Sequence, residues 1–334
     1  MSTKKTLPHT SFSFARLRKS YLVLSACLVL GVCLILSACG KKNRYQDQFM
    51  DVFDTVSLVI GYEGNEGDFQ KNFKAVHKRL QELHQLFDVY DDYPGVQNLK
   101  YVNENAGTAP VKVDPEIMAL LKFGKEIYEK TDGEVNIAYG AVLRIWHDYR
   151  EAGIANPENA SLPEETALLE ASKHCNIEDL ILDEANSTVY FQDPELRLDV
   201  GGIAKGWSVE RATELLEQAG AKHYLLNIGG NLRAIGKRGD GKRWVCPVEN
   251  PFYVDGQDTE QFAVAGEIED TSLVTSGDYE RFYVVNGKRY AHIVDPRTRM
   301  PADCHRSVSI LTKDSGLADG LSTALFILDV EEGK

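Results

Sequence analysis

The stretch Asp199-Val200-Gly201-Gly202-Ile203-Ala204-Lys205-Gly206-Trp207 carries the densest signal in this chain of 334 residues. A short strand over 197–199 is expected to run into paired glycines, and a helix over 204–218 to start at once and close near Gly220. Glycine lets backbone come close to a ligand, and the first N–H groups of a helix have no partner inside it. Together they make a ready anion site, with Lys205 as the positive charge. A tight turn beside a solvated lysine accounts for the same residues. The spacing is not G-x-G-x-x-G, and no acidic residue follows at the Rossmann distance, which disfavours a dinucleotide-binding Rossmann unit. Asn227-Ile228-Gly229-Gly230-Asn231 repeats the pattern after a strand over 224–228. Two glycine pairs after strands suit a long phosphate-bearing ligand, and two plain hairpin turns suit them equally.

Outward from these stretches, the patterning predicts a mixed set of elements. Residues 49–61 alternate apolar and polar through Val56, Leu58 and Ile60, as a strand does. Phe73, Val76, Leu80, Leu83 and Phe87 fall at helical spacing within 69–89. Residues 91–107 read as loop. A helix is predicted over 115–131, with Asp114 as its cap and Pro115 at its first position. A buried turn and helix follow over 133–149, and a short helix over 164–172. Short strands are predicted over 180–182, 188–191, 261–264, 272–276, 281–285, 289–292 and 307–311. Residues 231–248 read as a hairpin and 318–327 as the start of a helix. Strands and helices do not alternate regularly, so the fold class is α+β: a layered fold of mixed or antiparallel sheets with packed helices.

Three polar stretches add chemistry. Thr275-Ser276-Gly277-Asp278-Tyr279-Glu280-Arg281 offers hydroxyls and a cation in a turn between strands. His292-Ile293-Val294-Asp295-Pro296-Arg297-Thr298 ends a strand with a histidine beside an acid and an arginine. Such a histidine is a candidate acid, base or ligand contact, although a lone histidine is often structural. Asp319-Gly320-Leu321-Ser322-Thr323 puts Asp319 and Thr323 four apart, on one helix face. A carboxylate, a hydroxyl and a backbone carbonyl suit Mg²⁺. An ordinary helix cap at Asp319 is the competing reading.

The N-terminus has a different character. Residues 1–20 hold Lys4, Lys5, Arg16, Arg18 and Lys19 and no acid, and an apolar run follows over 21–36. Leu36-Ser37-Ala38-Cys39-Gly40 then supplies small residues before a cysteine. This is the layout of an export signal, and the run falls short of the ~20 residues of a membrane span. A signal peptide over 1–38 and a polar tether over 39–48 are therefore expected.

The whole chain carries 37 basic and 50 acidic residues, a formal charge of -13. Since five of the basic residues and none of the acidic ones precede Cys39, the remainder stands at -18. An acidic body lacks the basic footprint of a nucleic-acid binder, so no nucleic-acid partner is expected. Past the signal, Cys39, Cys175, Cys246 and Cys304 show no metal-type or disulfide-framework spacing. A composition of 43% hydrophobic and 26% charged residues is that of a folded globular protein, not a disordered one.

In order, the stretches 199–207, 227–231, 275–282, 292–298 and 318–326 resemble the motifs of the ApbE family, the FAD:protein FMN transferases. Weaker likenesses are Phe53-Asp54-Thr55, residues 86–90 and residues 132–137. Cys39 resembles the lipidated cysteine of a bacterial lipobox. The resemblance covers 49–334 and implies an ApbE-type, T-fold-like domain, built of two interleaved subdomains and cut short at its C-terminus.

It further implies Mg²⁺-dependent transfer of FMN from FAD to a Thr or Ser hydroxyl of a target flavoprotein, with release of AMP. FAD hydrolysis to FMN and AMP, or flavin binding without catalysis, are the alternatives. By the same resemblance Asp319, Thr323 and the Ala204 carbonyl are the metal ligands, and His292, Asp319 and Lys205 the catalytic groups. Asp295 is expected to orient His292 or steady its loop. Asp54, Tyr90, Asn136, Gly202, Lys205, Asn227, Thr275, Ser276 and His292 are the expected cofactor contacts, with Tyr90 or Tyr101 stacking on a ring. The partner is an exported or membrane-bound flavoprotein, and lipidated Cys39 holds the enzyme on the extracytoplasmic face of the cell membrane.

Three positions depart from the family pattern. Tyr139-Gly140-Ala141-Val142 replaces the usual Gly-Pro-Leu stretch, Arg299 a glycine, and Gly320 an alanine.

Overall fold

The segment 49–61, read above as one strand, is the end of one strand and most of a second. Strand β1 (Asn43–Val52) and strand β2 (Thr55–Glu63) pair antiparallel. Phe53 and Asp54 between them both take left-handed backbone, φ 53° and 50°. Two such residues in succession give the tight turn whose twist matches paired strands. The pair lacks the Asn-Gly signature, which hid the turn from a sequence reading. β1 also claims residues 43–48, which were expected to be tether.

These elements come from a computed structural model that describes residues 42–253 and 259–334. The expected signal peptide 1–38 and Cys39 lie outside the described residues.

After the hairpin come helix α1 (Glu66–Phe87), helix α2 (Leu99–Asn105), strand β3 (Val111–Lys112) and helices α3 (Pro115–Lys130), α4 (Gly140–Ala155) and α5 (Glu165–Ala171). Next are β4 (Leu180–Asp183), β5 (Thr188–Phe191), α6 (Ala204–Gln218), β6 (Tyr224–Ile228) and β7 (Asn231–Ile235). Then follow β8 (Trp244–Glu249), β9 (Phe262–Ile268), β10 (Ser272–Gly277), β11 (Phe282–Val285), β12 (Lys288–Ala291), β13 (Ser307–Thr312) and α7 (Ser315–Ile327).

A six-stranded sheet in the order β1-β2-β6-β7-β10-β13 organises the unit Asn43–Lys334, and every pairing in it is antiparallel. Helix α1 forms because Asn65 accepts from the Asp68 amide at its start and its apolar residues share one face. That face, through Phe69, Phe73, Val76 and Leu80, joins Val209, Ala212 and Leu216 of α6 on the sheet residues Val59, Tyr224, Leu226 and Ile228. The hairpin β8–β9 covers another part of the sheet, with Trp244, Cys246 and Ile268 against Tyr62, Leu225 and Leu273. A separate core gathers α3, the small sheet β3-β5-β4 and the start of α6, through Ile117, Leu121, Ile127, Val189, Phe191 and Ile203. The hairpin β11–β12 packs on α4 through Tyr283, Val285, Val142 and Trp146.

Three further expectations differ from the fold. Residues 197–199 are no strand, since Arg197 makes an isolated bridge to Tyr139. Residues 231–248 are no hairpin, because β7 pairs with β6 and β10 while β8 pairs with β9. Helix α2 lies in the stretch read as loop, where Asn98 caps it by accepting from the Tyr101 amide. Seven residues with two asparagines are too few to show a helical period.

Candidate active site

Helix α6 starts where Gly201 and Gly202 turn the chain, as the opening stretch predicts. Its first amides, expected to face a ligand, are partly used within the protein. The Ala204 amide donates to the Val200 carbonyl at 2.8 Å and the Trp207 amide to the Ile203 carbonyl at 3.0 Å. The Gly206 amide donates to Asp319 Oδ2 at 2.8 Å. The anion seated at this helix start is thus the protein's own carboxylate, where the helix dipole favours negative charge.

Asp319 belongs to α7 and is 3% exposed. Lys205 Nζ stands 3.9 Å from its Oδ1. Burial pushes the Asp319 carboxyl above the usual carboxylate range, while Lys205, the Gly206 amide and the Asn231 side chain pull it back. Thr323 lies one turn further on, and a Cβ added at Gly202 would touch its Cγ2 at 3.5 Å. The contacts Gly202–Thr323 and Gly206–Asp319 bracket Ala204, so the three expected metal ligands share one neighbourhood, with the Thr323 hydroxyl donating to the Asp319 carbonyl at 3.1 Å. The Ala204 carbonyl already accepts from the Ser208 hydroxyl at 2.7 Å and, as the first carbonyl inside α6, also serves the helix, so a cation there would compete with both. The donor set is all oxygen and fits a hard cation. It is not a carboxylate cluster: among the described residues no group of three or more His, Cys, Asp or Glu side chains could hold a metal. Hydroxyls brace the carboxylate's helix, with Ser276 and Ser322 oxygens 2.8 Å apart and Ser322 donating to the Asp319 carbonyl at 2.9 Å.

His292 follows β12 and is partly buried. Its Nδ1 lies 3.1 Å from the Arg281 carbonyl oxygen. A carbonyl can only accept, so Nδ1 carries the proton and the Nε2 lone pair is left for other work. Burial pushes the imidazole down to about 3, with the charges of Arg281, Lys205 and Arg150 acting the same way. The ring is therefore neutral at physiological pH. Arg281 in turn donates through Nη2 to the Phe53 carbonyl at 2.6 Å, tying the β1–β2 turn to the histidine's neighbourhood. Asp295 does not orient His292. It accepts from Arg297 at the backbone amide, 2.7 Å, and at Nε, 3.1 Å, and so steadies the loop.

The remaining candidates separate. Asp54 is exposed at the β1–β2 turn, and that turn packs so closely on the β6–β7 turn that a Cβ at Gly229 would meet Thr55 Oγ1 at 2.5 Å. Asn227 Oδ1 accepts from the Gly230 amide at 3.1 Å, so the second glycine pair is a hairpin turn stapled by its own asparagine. Thr275 shares a hydrogen bond with Ser309 at 2.8 Å. Asn136 has both amide ends on backbone, Nδ2 to the Cys175 carbonyl at 2.8 Å and Oδ1 from the Ala138 amide at 2.9 Å. Tyr90 stacks on His147 with ring centres 4.1 Å apart, has Arg144 over its ring at 5.3 Å, and reaches Asp199 Oδ2 at 3.4 Å. A bound ring could stack on Tyr90 only by displacing one of those neighbours. Tyr101 sits in α2, 37% exposed. Sequence reading missed Asn231 beside Asp319, although it closes a quoted motif, and missed the group Asp199, Tyr90 and His147, whose members come from three separate stretches.

A buried carboxylate, a lysine and a neutral histidine are drawn together here from distant segments, groups of the kind that enzymes of acid–base and phosphoryl-transfer chemistry use. A model of the ApbE family matches residues 50–334, and the chain belongs to that family. It is 31% identical over 271 residues to the FAD:protein FMN transferase of Haemophilus influenzae, covering 79% of this chain and 75% of that one. It is 32% identical over 314 residues to the FAD:protein FMN transferase of Treponema pallidum, covering 88% and 82%. The crystal structure of the ApbE protein of Thermotoga maritima superposes with a TM-score of 0.74 at 29% identity, over 87% of this chain and 88% of that one. The flavin transferase ApbE of Vibrio cholerae does so with 0.70 at 25% identity, over 87% and 89%. The α+β, antiparallel architecture read from the sequence is the architecture of these relatives.

Proposed function

We propose that this enzyme moves the FMN half of FAD onto a Thr or Ser hydroxyl of a partner flavoprotein, forming a phosphoester and releasing AMP. The observation that carries the reading is the tautomer of His292. With Nδ1–H committed to the Arg281 carbonyl and the ring neutral, the Nε2 lone pair is free for the acceptor hydroxyl, and an anionic pyrophosphate seated beside it would raise the basicity that burial and nearby cations hold low. It removes the proton of the acceptor hydroxyl. That oxygen then attacks the FMN-side phosphorus, the bond to the bridging oxygen breaks, and AMP leaves with that oxygen. Lys205 supplies positive charge beside the pyrophosphate, and Gly202 allows backbone to approach it. When bound, Mg²⁺ held by Asp319, Thr323 and the Ala204 carbonyl offsets the charge that develops on the phosphates. Asp54, Asn227, Thr275 and Ser276 form the rim of the flavin nucleotide site, and Tyr90 bounds it after its stack on His147 opens. Asn136 shapes the loop behind it.

The export-type sequence of residues 1–38 supports a lipid anchor on Cys39 and a partner that is itself exported or membrane-bound. Among the described residues no helix is long and apolar enough to cross a membrane.

The test is to incubate the full chain in detergent with FAD and Mg²⁺, with and without an exported flavoprotein domain as acceptor. AMP release and a gain of one FMN mass are expected only with acceptor. Equal AMP release without acceptor refutes transfer in favour of FAD hydrolysis, and binding of FAD with no AMP in either arm refutes catalysis.

A further inference from the structure

Asn231 opens β7 and is 1% exposed. Its backbone is fixed on both sides, opposite Ile228 across the β6–β7 turn and opposite Val274 of β10. Its side-chain amide lies beside the Asp319 carboxyl and pulls it down against the effect of burial. The other end of the same carboxamide, Oδ1, is fully buried and has no hydrogen-bond partner. A buried amide oxygen left without a donor is costly, and an apolar side chain of similar size would avoid that cost. Asp319 must be ionised to hold a cation, and reversing the amide would then set two acceptors face to face, so in the metal-bound state the N–H end is the one that faces Asp319. Covalent geometry then holds the idle oxygen only a short way from the carboxylate.

We propose that Asn231 is a positioning residue for the metal: its N–H end fixes the ligand Asp319, and its Oδ1 accepts a hydrogen bond from a water on the bound divalent cation. This rests on the reading of Asp319, Thr323 and Ala204 as metal ligands. A hard cation keeps several of its waters, and each is a strong donor. Groups that orient a metal ligand are worth about 10–100-fold in metal affinity. The carboxamide also cannot be swapped for aspartate, which keeps an acceptor but loses the donor that Asp319 receives.

The experiment follows Mn²⁺ binding to the full chain by the EPR signal of free Mn²⁺, with FAD present, for the wild type, Asn231→Ala, Asn231→Asp and Asp319→Ala. Thermal melts identify variants that fold. The wild type should bind, Asp319→Ala should not, and both Asn231 variants should bind about 10–100-fold more weakly. Their FMN transfer should recover at raised Mg²⁺. In the wild type alone, the ¹³C resonance of the Asn231 side-chain carbonyl should move downfield on saturation with Mg²⁺, which decides the matter even if neither variant folds. Wild-type affinity in folded Asn231 variants, or an unmoved resonance in a protein that does bind the metal, overturns the role of Asn231. Failure of the wild type to bind either cation overturns the metal reading beneath it.

Discussion

Gly206→Ala tests the joint between the two helices that build the site. A Cβ at this position would lie 2.3 Å from the Ser315 carbonyl oxygen, 2.9 Å from its carbon and 2.5 Å from Asp319 Cβ. Two of these neighbours are backbone, so they cannot swing aside. Relief requires α6 and α7 to part by about 1 Å, since ordinary contact begins near 3.4 Å. Overpacking of this kind costs about 1–3 kcal/mol. The same shift stretches the 2.8 Å bond from the Gly206 amide to Asp319, and a hydrogen bond to a charged group contributes about 1.5–3 kcal/mol. The combined loss, about 2.5–6 kcal/mol, is a large share of the 5–15 kcal/mol that typically separates folded from unfolded protein. Urea denaturation of the wild type and variant measures it directly, and FMN transfer should fall with it even in the folded fraction. A variant that unfolds within about 0.5 kcal/mol of the wild type and transfers FMN at the same rate would refute the reasoning, because the two helices would not be in contact as described.

Two further outcomes follow from the same geometry. The His292 imidazole, held near 3 by burial and by Arg281, Lys205 and Arg150, should stay neutral from pH 8 to pH 5. Because the unfolded chain takes up that proton below pH 6.5, this residue makes the fold lose up to about 1.4 kcal/mol per pH unit as pH falls from 6.5 towards 3. Histidine NMR titration reads the effect, and a midpoint near 6.5 for His292 would count against it. Arg299 holds left-handed backbone at φ 63°, where a side chain is strained. Arg299→Gly should therefore raise stability slightly, by about 0.5–1 kcal/mol, because relief of strain outweighs the added freedom of the unfolded chain. A drop in melting temperature would contradict that balance.

Much of the fold was legible where a segment declares itself alone. Asp114 and Pro115 announce α3, the apolar spacing from Phe69 to Phe87 announces α1, and Asp319 and Thr323 share a face because they are four apart on a helix. What stayed hidden depends on neighbours far along the chain. Phe53 and Asp54 turn left-handed without the usual turn residues, held by Arg281 from 228 residues further along the chain. The first amides of α6 looked free because nothing near them in sequence reveals that Asp319 takes one. Asn136 looked like a ligand contact, but its carboxamide closes a loop on Cys175 and Ala138. The glycine pair at 229–230 reads the same as phosphate loop or hairpin until β7 is seen beside β6. Gly320 has an outside cause as well: a Cβ there would meet Ile127 Cγ2 of α3 at 2.9 Å.

The hydrogen bond from Gly206 to Asp319 joins residues 113 apart, and that from Arg281 to Phe53 joins residues 228 apart. Each half of the chemistry is therefore closed by a segment made long after its partner. A chain still emerging holds Lys205 and its first hairpin but lacks Asp319 and His292, so the site proposed above is not yet assembled. Fold topologies dominated by such distant pairings also form slowly. The order of synthesis thus works as a delay: on the reading proposed above, flavin chemistry waits until α7 has docked.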